Sequence, residues 1–124
     1  MTPYDVITQV HGLFLKRDVD GMVDLLAEDV VVEHPFPSPR IPERIDGRDA
    51  VRDHITKALA TSPADFDAFD IETVHHTTDP EVIIIEHALT GRVKATGDPF
   101  RRRYIQVIRV HAGKIKHWRD YTNP

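Results

Sequence analysis

Gly113-Lys-Ile-Lys-His-Trp-Arg-Asp-Tyr-Thr-Asn123 decides how the rest of the chain is read. Ala112-Gly113 is a hairpin signal, and the residues after it suit a β-strand. Strand side chains alternate with period two, so the carboxylate of Asp120 shares a face with Trp118, the only tryptophan. If that face is enclosed, the acid loses its water and its pKa rises toward the range where it can exchange protons near neutrality. If the face is wet, Asp120 is only a surface charge.

The composition limits the alternatives. A chain of 124 residues fits one domain, taken as residues 1–124, with a modest core. No apolar run approaches the roughly 20 residues of a membrane span, so no membrane role is expected. The first residues, Met1-Thr-Pro-Tyr-Asp5, lack a basic start and an apolar stretch, which leaves the cytoplasm as the expected location. There is no cysteine, hence no disulfide or thiolate chemistry. A net charge of -4 gives no general attraction to nucleic acid. Eight histidines stand out.

Thr2, Pro3 and Asp5 form a helix start, and Val6, Ile7, Val10, Leu13 and Phe14 recur at helical spacing up to about Arg17. Asp18 caps a short second helix whose buried set is Met22, Val23, Leu25 and Leu26. Val30 to His34 is a short strand ended by Pro35. Four prolines between positions 35 and 42 make an irregular loop, with Phe36 in it, that can rim a pocket. Gly47-Arg-Asp-Ala50 opens a third helix with Val51, Ile55, Ala58 and Leu59 on one stripe. From Phe66 the period changes to two, giving strands to about His76, from Val82 to about Lys94, from Phe100 to His111, and then the final strand.

Three helices followed by four antiparallel strands describe an α+β domain with the helices on one side of a curled sheet. Ile83-Ile84-Ile85 and Ile105, Val107 and Ile108 put apolar residues on both sheet faces. A second copy of the chain is the expected cover for the outer face, making a homodimer.

The corner Arg17-Asp-Val-Asp-Gly21, the strand Val32-Glu-His-Pro35, the opener Gly47-Arg-Asp-Ala50 and the ending Gly113 to Tyr121 together resemble a SnoaL-like protein, of the nuclear transport factor two fold. That fold also holds ketosteroid isomerase, limonene epoxide hydrolase and polyketide cyclases. The resemblance implies a cone-shaped antiparallel sheet, a cystatin-like roll, with three N-terminal helices on its concave face. It also implies cofactor-free isomerase, cyclase or hydrolase chemistry on a small hydrophobic molecule, while non-catalytic binders share the scaffold.

Asp120 is similar to the proton-moving aspartate of the cyclases and the epoxide hydrolase. His34 stands where ketosteroid isomerase has its base, and Val10 falls where that enzyme has its oxyanion tyrosine. His87 and Leu89 fall where the hydrolase has an Arg-x-Asp pair, and Val32 where it has a tyrosine. The catalytic set implied is therefore Asp120, His34 and His87. Trp118, Phe36, Phe14 and Ile55 are candidate substrate contacts beside Val32 and Leu89, and Tyr104 is an inward-facing donor.

No metal is expected. His75-His76 cannot aim both rings at one ion from a regular strand, and no local motif makes a metal triad of His34, His87 and Asp120. The run Arg101-Arg102-Arg103 reads as a solvated or salt-bridged surface; alternation sends Arg102 opposite to the other two, and its reach to a carboxylate or polar substrate group is the lesser alternative.

Overall fold

The computed structural model describes residues 1–122. Asn123, the last residue of the stretch quoted above, lies outside them.

Helix α1 spans Pro3–Leu15 and opens on a reciprocal cap. The Asp5 amide donates to Thr2 Oγ1 at 3.2 Å, and the Thr2 amide to Asp5 Oδ2 at 2.9 Å. Helix α2, Val19–Asp24, is capped by Asp18, whose Oδ1 accepts from the Gly21 amide. Strand β1 covers Leu26–Glu33, β2 Arg44–Asp46, and helix α3 Arg48–Thr61. Strands β3 (Ala64–His76), β4 (Val82–Val93), β5 (Pro99–His111) and β6 (Lys114–Thr122) follow. Among the described residues no helix is long and apolar enough to cross a membrane.

The six strands form one open sheet in the order β2-β1-β6-β5-β4-β3. The sheet is mixed, which corrects the expected all-antiparallel one: β1 runs parallel to β6, with Val32 opposite Trp118. No hairpin joins these two strands, so no turn dictates their relative direction. Strand β2 has only three residues, too few to show a period in the sequence. Leu26, expected in α2, begins β1 opposite Ile115 and is followed by an irregularity before Val31. The β5–β6 hairpin turns on Ala112 and Gly113 alone, at φ 50° and 77°, the two positive values of a type I′ turn.

Helix α1 lies against β3, β4 and β5, while α3 covers β1 and β2. The core between helices and sheet is built from Val6, Ile7, Val10, Met22, Val30, Ile85, Ile108 and Ile115. Burying such side chains stabilises the fold by about 1.5–3 kcal/mol each before entropy is counted. Packing is tight at Gly91, where an added Cβ would lie 2.1 Å from the Asp65 carbonyl oxygen. On the outer face Arg101 and Arg103 bridge to Asp70 and Glu72 at 3.0 Å, which ties β5 to β3 across β4.

Candidate functional site

Between the helices and the inner face of the sheet lies a cavity of about 190 Å³. Its wall includes Val10 and Phe14 of α1, Ile55 of α3, Val32 of β1, Leu89 of β4, Tyr104 of β5 and Trp118 of β6. Asp120 is its only carboxylate among the described residues.

Alternation along β6 sends Trp118 and Asp120 to the same side, and their contact is direct: Trp118 Nε1 donates to Asp120 Oδ1 at 2.6 Å. Gln106, the register partner of Asp120 on β5, donates its amide to the same oxygen at 2.9 Å. Two donors thus occupy Oδ1, and when the acid is protonated the hydrogen belongs on Oδ2. Burial pushes the Asp120 carboxyl above its ordinary range, and the two hydrogen bonds and the His34 ring pull it only part of the way back.

Oδ2 faces His34, whose Nε2 is 4.0 Å away, with the two side chains only 17% and 12% exposed. His34 Nδ1 sits 2.9 Å from the Pro42 carbonyl oxygen, which can only accept, so Nδ1 carries the hydrogen. In the neutral ring Nε2 is then a bare acceptor aimed at Asp120. The proline loop therefore sets the tautomer of the histidine beside the acid.

Behind Asp120 the polar chain continues inward. Gln106 Oε1 is 2.9 Å from His11 Nε2, and because the Gln106 amide already donates to Asp120, the His11 nitrogen is the donor. His11 lies flat on Phe69 with ring centroids 4.0 Å apart. Its Nδ1 is buried without a partner, and burial holds the ring below its ordinary pKa.

Asp120, His34 and His87 all line the cavity, at unequal distances from one another. His34 approaches Asp120, whereas His87 sits on β4 with β5 between it and β6. It stacks on Tyr104 at 5.4 Å and tilts against His11 at 5.0 Å. Burial first, and then His11, lower its pKa to about 4. The ring is neutral at physiological pH, and its Nδ1 also lacks a partner. Burial pushes the Tyr104 phenol up. Phe36 does not line the cavity: it is 55% exposed and meets Tyr121, which alternates onto the outer face. The loop after Glu33 carries it past the rim.

His11, His54 and Gln106 were not singled out from the sequence. Each had a signal. His11 interrupts the apolar stripe of α1 at the position after Val10, and Gln106 sits between Tyr104 and Ile108 on an inward alternation. His54 lies in the turn of α3 facing His34, with ring centroids 6.0 Å apart. Among the described residues no group of three or more acidic, histidine or cysteine side chains is placed to hold a metal ion.

Comparison with known proteins places the chain in a family. An uncharacterized Bacillus subtilis protein, YesE, is 34% identical over 123 residues, covering 97% of this chain and 80% of its own. A crystal structure of a candidate isomerase from Bacillus subtilis superimposes with a TM-score of 0.88 at 30% identity, covering 98% of this chain and 86% of the other. A Mycobacterium tuberculosis protein, solved in complex with estradiol-17beta-hemisuccinate, shares the fold with a TM-score of 0.82 at 23% identity, covering 99% and 95%. The SnoaL-like domain model matches residues 7–118, and the chain belongs to that family.

Proposed function

We propose that the protein is an enzyme that moves protons on a small apolar, carbonyl-bearing or cyclic substrate, with Asp120 as the catalytic acid or base and His34 as its partner. The observation that carries this is the asymmetry of the Asp120 carboxyl. Oδ1 is saturated by Trp118 and Gln106, while Oδ2 faces the imidazole acceptor in a mainly apolar cavity. At 4.0 Å the two groups are too far apart for a direct hydrogen bond, but one substrate oxygen or water can lie within reach of both. Burial raises the carboxyl pKa and so strengthens it as a base, and the same oxygen can take a proton from carbon and return it elsewhere. Tyr104 is positioned on the cavity wall to donate to a developing oxyanion, and Val10, Val32, Leu89, Ile55, Phe14 and Trp118 form the apolar surround. His87 acts as a neutral part of the wall in this reading, and no cofactor takes part.

The test is deuterium uptake by decalone in deuterium oxide, followed by NMR. The wild type should accelerate exchange next to the carbonyl, and Asp120→Asn should lose about a hundredfold or more of that acceleration. Equal rates in the two proteins would remove Asp120 from the chemistry.

A second reading is a binder without turnover. Its support is the pair of unpartnered ring nitrogens, His11 Nδ1 and His87 Nδ1, which suit a ligand held by hydrogen bonds. Binding of decalone without exchange favours it. We also propose that a second copy covers the outer face around Ile105, which is 43% exposed, and Phe36. Sedimentation of an Ile105→Glu variant as a monomer, against a wild-type dimer, is the expected outcome.

A further inference from the structure

Outside the cavity, between the proline loop, α3 and β5, lies a groove of about 760 Å³ that shares Phe14, His34, His54, Ala58 and Tyr104 with the cavity and is its mouth. Its charges are one-sided. Arg40, Lys57 and Arg102 line it, and no carboxylate does, although the chain carries 20 acidic residues and a net charge of -4. The other arginines of β5 are neutralised: Arg101 by Asp70, Arg103 by Glu72 and Arg109 by Asp79. Arg40, Lys57 and Arg102 have no ion-pair partner among the described residues. Arg102 is where alternation along β5 puts a guanidinium on the inner face, one step outward from Tyr104.

Three unpaired cations around a concave entrance focus a positive potential there. Deeper in, the wall is mainly apolar, carries no lysine or arginine, and has Asp120 as its carboxyl group. An anion is therefore attracted to the mouth and not to the floor.

We infer, resting on the pocket reading above, that the natural ligand is an apolar molecule bearing a carboxylate, bound with its apolar body in the cavity and its carboxylate on Arg102 at the mouth. A guanidinium fork matches a carboxylate with two parallel hydrogen bonds, which makes Arg102 the anchor. Lys57 and Arg40 add longer-range attraction. Arg102 is then a specificity-determining residue that fixes which end of the ligand reaches Asp120.

Titrations of cyclohexylbutyrate and cyclohexylbutanol, followed by the fluorescence of Trp118, test this. The carboxylate should bind about tenfold or more tightly than the alcohol, and the difference should shrink in about 0.5 M salt. Arg102→Gln should abolish the preference, whereas Arg101→Gln, on the opposite face, should keep it. Thermal melts confirm that both variants are folded. Equal binding of acid and alcohol by the wild type, or a preference that survives in Arg102→Gln, overturns the carboxylate anchor and leaves the apolar pocket standing. Binding of neither compound overturns the pocket reading and the anchor together.

Discussion

Replacing His87 with leucine should flatten the acid limb of the stability curve. In the folded protein the ring titrates at about 4 instead of 6.5, chiefly because burial against Tyr104 and Phe69 denies water to the imidazolium. The unfolded chain therefore binds more protons between these values, and stability present above 6.5 is lost as pH falls toward 4. A displacement of 6.5 minus about 4 is about 2.5 units, which corresponds to about 3 kcal/mol between neutral pH and pH 4. Against a typical domain stability of about 5–15 kcal/mol, one side chain would account for a large part of acid sensitivity. Leucine cannot take a proton, so this contribution disappears in the variant. Urea unfolding of both proteins at about pH 7.5 and about pH 4 gives the double difference, in which the packing cost of losing the stack cancels. Parallel losses in the two proteins would refute the account.

Asp120 has the opposite sign. Its raised pKa makes the folded state prefer the neutral acid, so Asp120→Asn should be more stable than the wild type above the folded pKa, with the gain vanishing below 3.8, as pH-dependent melts would show. Gly91→Ala should destabilise by about 1–3 kcal/mol or more in denaturant unfolding, because its Cβ would meet the Asp65 carbonyl oxygen and the Phe100 ring. Ala112→Asn should stabilise by about 0.5–1 kcal/mol, raising the melting temperature by a few degrees, since asparagine tolerates the left-handed backbone that Ala112 holds at φ 50°.

Much of the frame was legible because it is written in local periods. The cap at Thr2, the stripe of α1, the two-residue turn at Ala112-Gly113 and the shared face of Trp118 and Asp120 all follow from neighbours within a few positions. What was not legible depends on distant partners. The parallel pairing of β1 with β6 has no turn to announce it. The polar chain from His11 through Gln106 to Asp120 joins residues 95 and 14 positions apart, and each of the first two looks alone like a flaw in an apolar pattern. Phe36 leaves the sheet in a direction that the proline loop hides from any local pattern, and so stands outside the cavity. Its neighbour His34 kept its inward place because Pro42 holds the ring.

The parallel pairing also bears on how the chain is made. Val32 must wait for Trp118, 86 residues later, and at about 5–20 residues per second of synthesis that is roughly 4 to 17 s. During that interval β1 has β2 on one side and an open edge on the other. The nascent domain therefore depends on being shielded from other chains until β6 is translated, and its yield in the cell should respond to chaperone supply.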